Sequence, residues 1–236
     1  MFNPRPRIES VQITPRETCW VVDDALLEPE RWVDFAATHA DRFEDAPHNA
    51  YPGSELRLPD DATQALSMFF SMHLRDRLGA RRVQRAVAKL ALTTRAPQAL
   101  QPRQSICHVD RLETGPGQCI AASVLYLFGD ADLGGTSFYM PIRPFDEIAT
   151  LLRDSADLDA VQFEARHGIA PAYMTDSNAW FHRIATVPAG FNRLIVYSGA
   201  VFHSGDIRSP EKLTADPRTG RLSLNGFFVC SRRLVA

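Results

Sequence analysis

Residues 192–203 read NRLIVYSGAVFH, an apolar run with two aromatic residues that ends in a histidine. Runs of this kind, rich in Val, Ile, Leu, Phe and Tyr, are typical of buried β-strands. The strand-like runs of the second half are separated by Gly-containing turns and lie at 105–110, 118–128, 135–140, 191–203 and 220–230. Several short strands with regular turn signals predict a β-sandwich or a β-barrel.

The first hundred residues have a mixed pattern. Segments 17–24 and 87–95 are strand-like. Pro29 opens one segment whose apolar residues recur at helical spacing, and Pro59 opens a second one, which Gly79 closes. Proline at a helix start and glycine just past its end are the usual boundary signals. We therefore predict two helices in this region.

These patterns predict one domain over residues 1–236. An α/β lead-in with two support helices, 1–100, precedes a β core at 101–236. A polar amphipathic stretch at about 144–172 is predicted to be a helical insertion between two strands, which serves either as a lid or only as packing.

The composition is that of an ordinary globular protein, with 45% hydrophobic and 23% charged residues among 236. A formal net charge of −2 gives no overall basic field, so a nucleic-acid partner is not expected. No apolar run reaches the length of about 20 residues that spans a bilayer, and the first residues lack the apolar core of a signal peptide. Four cysteines without a CxxC pair predict free thiols, and we expect a cytoplasmic protein that has no membrane partner.

The run at 105–110 contains a histidine and an aspartate with one residue between them, His108 and Asp110. In a strand, side chains two residues apart point to the same face, so one nitrogen and one carboxylate would project together. The pair is either a simple hydrogen-bonded pair on a polar face or two ligands of a metal. His203, at the end of the run 192–203, would complete two nitrogens and one carboxylate, the set typical of non-haem Fe(II) sites that use O₂. Zinc can occupy the same triad.

Arg221 begins the last strand-like run and shares a predicted face with Ser223, Asn225 and Phe227. An arginine inside a barrel needs an anion, and its planar guanidinium can hold a carboxylate with two hydrogen bonds. A dicarboxylate that chelates a metal at one end and meets Arg221 at the other would fit. The alternatives are a salt bridge to a protein carboxylate and a surface arginine.

From about residue 104 to 231 the chain resembles the Fe(II)/2-oxoglutarate-dependent dioxygenase superfamily, and within it the prolyl-4-hydroxylase-like branch. The matching pieces stand in the order of that family and are HVD at 108–110, VLYLF at 124–128, GGTSF at 134–138, NRLIVYSGAVFH at 192–203 and GRLSLNGFF at 220–228. The resemblance implies a mainly β fold with flanking helices around a double-stranded β-helix, or jelly-roll, core.

The resemblance also implies roles for single residues. The implied iron ligands are His108, Asp110 and His203, and the implied contacts to 2-oxoglutarate are Arg221, Tyr126 and Ser223. The stretch between the last histidine and Arg221 is longer than in the family, with an apparent loop at 204–219, so Arg208 and Arg218 are alternatives for the anchoring role.

Three functions follow as hypotheses, and the third is a degenerate oxygenase fold that serves as an interaction protein. The first is a hydroxylase that uses Fe(II), 2-oxoglutarate and O₂, acts on a small molecule or an amino-acid or peptidyl residue, and releases succinate and CO₂. The second is a metal-binding, cupin-like jelly roll, a binding module or a hydrolase, that does not use 2-oxoglutarate. The predicted substrate contacts are Asn225, Phe227 and Arg57, and Tyr51 is placed with Arg57 in a segment that can form one wall of the pocket. Gly134 and Gly135 are predicted to form only a hairpin turn.

Overall fold

Two antiparallel sheets make up the core of the fold. The computed structural model describes residues 1–45, 51–110 and 115–232. Within these ranges the larger sheet has eight strands, in the spatial order β1 (Ile8–Thr14), β2 (Glu17–Val22), β9 (Arg193–Ser198), β6 (Gln118–Tyr126), β11 (Arg221–Arg232), β5 (Ala80–Thr93), β4 (Gly53–Arg57) and β3 (Glu44–Asp45). The smaller sheet has the order β10 (Phe202–Gly205), β7 (Thr136–Pro141) and β8 (Phe181–Val187).

The larger sheet is covered on its outer face by helices from the first hundred residues, α1 (Glu30–Thr38) and α2 (Asp60–His73). Leu222 and Leu224 of β11 point to this side and are buried in one apolar cluster with Leu66 of α2. The rings of Phe70 on α2 and Phe228 on β11 stack with centroids 4.1 Å apart. Because side chains alternate along a strand, the intervening residues of β11 face the other way, toward the smaller sheet.

Both predicted helices of this region are present. A single 3-10 turn, Arg75–Leu78, follows α2, and Gly79 ends it with φ of +64°, in the left-handed region that glycine adopts without strain. The first hundred residues also supply five strands of the larger sheet as described, so they are built into the β core instead of lying beside it.

The smaller sheet packs on the inner face of the larger one. Phe138 of β7 and Tyr197 of β9 meet edge to face with ring centroids 5.0 Å apart, inside a cluster that draws apolar side chains from both sheets. The prediction of a mainly β fold with flanking helices and a jelly-roll core is confirmed. No helix within the described ranges has both the length and the apolar character that a membrane span requires.

Three local predictions were wrong. The run at 191–203 is divided between β9 of the larger sheet and β10 of the smaller one. The run at 105–110 is not a regular strand, because its ladder pairing is limited to one bridge between His108 and His203. Gly134 and Gly135 do not form a hairpin turn, since they connect β6 of the larger sheet to β7 of the smaller one. A Cβ at Gly134 would lie 1.9 Å from the carbonyl oxygen of Asp206, so this crossing requires a residue without a side chain.

The stretch 144–172 contains two helices, α3 (Phe145–Asp157) and α4 (Ala160–His167), between β7 and β8. Asp159 caps α4 by accepting a hydrogen bond from the backbone of Gln162, and Gly168 ends the helix with φ of +68°. The buried carboxylate of Asp154 on α3 bonds His167 of α4 at 2.7 Å, which holds the two helices together.

Candidate metal centre and its cavity

The structure brings His108, Asp110 and His203 together, although 93 residues separate the last two. Their ligand atoms all lie within 4.8 Å of one another, and they are the one group of metal-binding type found among the described residues. The two imidazole rings have centroids 4.5 Å apart, and Nε2 of His203 lies 3.8 Å from Oδ2 of Asp110. One ion can therefore contact all three side chains.

Backbone pairing positions the triad without a long strand. The N–H and C=O groups of His108 bond those of His203 at 3.0 and 2.9 Å, so the two histidines face each other across one bridge. The backbone N–H of Asp110 donates to the carbonyl of Gly199 at 2.8 Å. The backbones of His108 and Asp110 are thus both bonded to the segment 199–203, which ends in the third ligand, His203.

The tautomer of His203 suits a metal ligand. Its Nδ1 lies 2.9 Å from the carbonyl oxygen of Val201, which can only accept, so Nδ1 carries the proton. In the neutral form of this tautomer, Nε2 has the lone pair, and this atom lies on the side of Asp110, 3.8 Å from its Oδ2. A backbone carbonyl that fixes the ring of a ligating histidine is a common support for metal ligands.

Burial sets the protonation of the other two groups. Desolvation is the larger cause and the nearby His203 the smaller one, and together they lower the pKa of His108 to about 3. The imidazole of His108 is therefore neutral and able to coordinate a metal. Desolvation raises the pKa of Asp110, while His203 opposes the shift. Oδ2 of Asp110 is buried and accepts no hydrogen bond from the described residues. A buried carboxylate oxygen without a donor is costly, and a bound cation would compensate it, so these residues fit a divalent metal.

The triad lies in a cavity of about 450 Å³ between the two sheets. Ligand sites usually occupy cavities of this size, roughly 300–1,000 Å³. The floor is the inner face of β5, β6 and β11, and one wall is the C-terminal part of α3, through Leu152, Ser155 and Ala156. Arg103 donates to the carbonyl of Ala156 at 3.1 Å and ties this wall to the segment before His108. The predicted insertion therefore borders the cavity.

Arg221 lines the same cavity and is only 5% exposed. Its guanidinium donates to the carbonyls of Leu133, Gly134 and Gly135 at 2.9, 3.2 and 3.0 Å, and to Oγ1 of Thr93 at 3.4 Å. These acceptors are all neutral, and no carboxylate of the described ranges forms an ion pair with Arg221. A guanidinium has five N–H groups, so one remains for an anion in the cavity.

The hydrogen bonds that support Arg221 could not be predicted from the sequence. Gly134 and Gly135 received no chemical role, yet their carbonyls orient the guanidinium. Backbone acceptors leave no side-chain signature, and the only signal in the sequence is the Gly-Gly pair itself. A Cβ at Gly135 would lie 2.0 Å from the carbonyl oxygen of Val187, so the close approach needs glycine here as well.

The remaining predicted residues fall into two groups. Those that line the cavity are Tyr51, Ser223, Asn225 and Phe227. Oγ of Ser223 and Oδ1 of Asn225 are buried and have no hydrogen-bond partner of suitable geometry within the described part of the chain. Together with Oδ2 of Asp110, three unsatisfied polar atoms therefore face one cavity, and buried polar atoms left in this state usually meet a ligand or water.

The second group lies outside the cavity lining. Tyr126 is fully buried and its hydroxyl bonds Oγ1 of Thr136 at 2.8 Å, so Thr136 and not Tyr126 reaches the cavity. Arg57 is exposed on β4 and does not reach it. Arg208 pairs with Asp206 and Asp176 on the surface, and Arg218 pairs with Asp34. Arg221 is thus the one member of the three candidate arginines that lies in the cavity.

Solved structures similar to this chain include a prolyl-4-hydroxylase from Pseudomonas putida, at 15% identity over 91% of this chain and 92% of that chain, with a TM-score of 0.43. HygX from Streptomyces hygroscopicus, solved with nickel and 2-oxoglutarate bound, is 10% identical over 92% of this chain and 84% of its own, with a TM-score of 0.46. SnoK, a non-heme alpha ketoglutarate dependent carbocyclase from nogalamycin biosynthesis, is 13% identical over 94% of this chain and 84% of its own, with a TM-score of 0.49.

No curated protein matches the chain. One family model does, and it covers residues 4–228. This chain therefore belongs to DUF6445, a family of unknown function.

Proposed function

We propose that this chain is an Fe(II)- and 2-oxoglutarate-dependent oxygenase that hydroxylates an unactivated C–H bond of a small molecule or of an amino-acid or peptidyl residue, with release of succinate and CO₂. One observation carries the proposal. A buried triad of two histidines and one aspartate shares a cavity with a buried arginine that has no carboxylate partner among the described residues.

The triad has the ligand set of non-haem iron sites, in which three protein ligands leave coordination positions open. When bound, Fe(II) with 2-oxoglutarate and O₂ supplies the oxidising chemistry. The chain supplies the imidazoles of His108 and His203 and the carboxylate of Asp110, and the positive charge of the ion would offset the cost of burying that carboxylate.

Arg221 stands at a suitable distance to hold the far end of a dicarboxylate. A Cβ at Gly205 would lie 3.4 Å from Nη2 of Arg221, and Gly205 follows His203 by two residues on β10. Two residues of a strand span about 6–7 Å. A five-carbon dicarboxylate can bridge such a separation, with its 2-oxo acid end at the metal and its distal carboxylate at the guanidinium.

The rest of the cavity is suited to a substrate. Asn225 and Phe227 continue along β11 from Ser223, so an amide and an aromatic ring lie farther from Arg221 than the proposed co-substrate. The unsatisfied amide oxygen of Asn225 can accept a hydrogen bond from a hydroxyl or amino group of the substrate. The apolar ring of Phe227 provides contact area and keeps water from the reacting carbon.

One observation favours the second candidate function, a metal-binding jelly roll that does not use 2-oxoglutarate. Four of the five N–H groups of Arg221 already meet acceptors of the chain, as they would in a purely structural arginine. The two functions make opposite predictions for the co-substrate, because only the oxygenase binds 2-oxoglutarate through Arg221.

Succinate formation tests the proposal. Protein supplied with Fe(II), 2-oxoglutarate and air is expected to release succinate, even slowly without substrate. Asp110→Ala should abolish this release, whereas Asp132→Ala, which changes an exposed carboxylate paired with Lys212, should leave it unchanged. Succinate release that is the same in Asp110→Ala as in the unaltered chain would disprove the proposed iron site.

A further inference from the structure

Tyr51 lies at the Arg221 end of the cavity, although it belongs to the segment that precedes β4. Its side chain lines the cavity, and its hydroxyl lies 2.7 Å from Oγ1 of Thr93, the same atom that accepts from Nη1 of Arg221. The hydroxyl of Ser223 lies beside it. Three hydroxyl groups and one guanidinium therefore cluster at one end of the cavity.

Donor and acceptor capacity allows this network to end in a donor at the cavity. A guanidinium only donates, so Oγ1 of Thr93 accepts from Arg221, and the proton of Thr93 remains available as a donor. That proton can be donated to the oxygen of Tyr51. The O–H of Tyr51 is then available to a ligand in the cavity or to the neighbouring hydroxyl of Ser223, and each bond in such a chain polarises the next one. Burial raises the pKa of Tyr51, so the hydroxyl stays protonated and remains a donor at neutral pH.

The backbone around Tyr51 is held in place. Its carbonyl accepts from Nε2 of Gln104 at 3.0 Å, and the carbonyl of Pro52 accepts from the backbone N–H groups of Thr94 and Arg95, each at 3.2 Å. Gly53 allows the close approach, because a Cβ there would lie 2.0 Å from the carbonyl oxygen of Leu92. Tyr51 is therefore fixed over β5 and is positioned before any ligand binds.

Tyr126 differs from Tyr51 in these respects. Its hydroxyl is bonded to Thr136, and its side chain does not line the cavity. Both residues are tyrosines with one threonine partner, and both lie close enough to Arg221 to feel its charge. Only Tyr51 has a route from its hydroxyl to a ligand.

We propose that Tyr51, and not Tyr126, donates the hydroxyl hydrogen bond that binds the distal carboxylate of 2-oxoglutarate beside Arg221. This inference rests on the proposed function. It assigns the co-substrate end of the cavity to three side chains, Arg221, Tyr51 and Ser223, and leaves the Asn225 end for the substrate. A segment outside the jelly-roll strands thus completes the anion site.

Binding measurements with two matched variants test this assignment. Tyr51→Phe and Tyr126→Phe each remove one hydroxyl and keep the ring. Protein loaded with redox-inert Ni²⁺ would be titrated with 2-oxoglutarate and with 2-oxobutyrate, a 2-oxo acid that lacks the distal carboxylate. A hydrogen bond to a charged group is worth about 1.5–3 kcal/mol, so the loss of one should weaken binding by at least about tenfold.

We expect Tyr51→Phe to weaken 2-oxoglutarate binding about tenfold or more and to leave 2-oxobutyrate binding unchanged, which also shows that the variant is folded. Tyr126→Phe should change neither affinity by more than about twofold. Weaker 2-oxoglutarate binding in Tyr126→Phe, or unchanged binding in Tyr51→Phe, would overturn the assignment and leave the proposed function intact. An unaltered chain that binds Ni²⁺ but no 2-oxoglutarate would overturn both.

Discussion

The carboxylate of Asp110 occupies the space that a side chain on Gly199 would need. A Cβ at Gly199 would lie 2.9 Å from Oδ2 and 3.1 Å from Cβ of Asp110, and 2.7 Å from Cγ2 of Ile120. The carbonyl of the same glycine accepts the backbone N–H of Asp110. Gly199 therefore serves the candidate metal centre in two ways, by leaving room for one ligand and by holding its backbone.

Replacing Gly199 should disturb the metal centre although Gly199 is not itself a metal ligand. We expect Gly199→Ala to weaken metal binding by about tenfold or more, since a shift of one ligand by less than 1 Å costs a large part of its bond. Competition with a chromophoric chelator measures the affinity. Gly129→Ala is the matched control, because a Cβ at Gly129 has no atom within 4 Å. Equal affinities for the two variants would contradict the role of Gly199.

The metal-free protein should gain stability when Asp110 becomes asparagine. The buried carboxylate has an oxygen without a hydrogen-bond donor among the described residues, and burial raises its pKa, so the ionised form is a cost to the folded state. Asp110→Asn removes the charge and keeps the shape. We expect a gain of about 1 kcal/mol in the free energy of unfolding.

Thermal unfolding with a chelator tests the stability of the metal-free protein, and thermal unfolding with added metal tests whether Asp110 is needed for metal binding. The unaltered chain should have a higher melting temperature when metal is added, because a ligand that binds only the folded state stabilises it. Asp110→Asn should melt higher than the unaltered chain in chelator and should not respond to metal. A variant that melts lower in chelator and still responds to metal would show that Asp110 is a structural residue.

The attachment of α2 to the larger sheet should depend on one aromatic pair. Phe70 is 1% exposed and stacks on Phe228. Phe70→Ala should lower the free energy of unfolding by about 3–5 kcal/mol, the usual cost of deleting a buried aromatic ring. Phe145→Ala should change it by less than about 0.5 kcal/mol, because Phe145 is 87% exposed. Urea unfolding of the two variants measures the difference, and equal losses would contradict the packing.

The predictable parts of the molecule are those with local signals. Pro59 and Gly79 mark the region of α2 and the 3-10 turn after it, since both residues restrict or permit particular backbone angles. The triad could be found because the His-x-Asp pair and the histidine after a long apolar run are side-chain signals. Strand β1, whose sequence IESVQIT is half polar and partly exposed, gave no clear apolar pattern and was not predicted.

The unpredictable parts depend on contacts between distant segments. Strand β5 begins at Ala80, seven residues before the predicted start. The prediction starts late because exposed arginines among the first residues of β5 interrupt the alternation of apolar and polar side chains. The support of Arg221 depends on the carbonyls of Gly134 and Gly135, which carry no motif for this role. The sequence predicts Tyr51 in a pocket wall, but its link to Arg221, 170 positions later, runs through Thr93 and is visible only in the folded chain.

The most direct test of the central claim is the visible spectrum of the anaerobic protein with Fe(II) and 2-oxoglutarate. Chelation of iron by the 2-oxo acid gives a weak charge-transfer band. We predict that the band appears, that Arg221→Ala needs at least about tenfold more 2-oxoglutarate to produce it, and that Arg208→Ala behaves like the unaltered chain. The absence of the band at proven iron occupancy would contradict the account and would favour a metal-binding jelly roll in which Arg221 is structural.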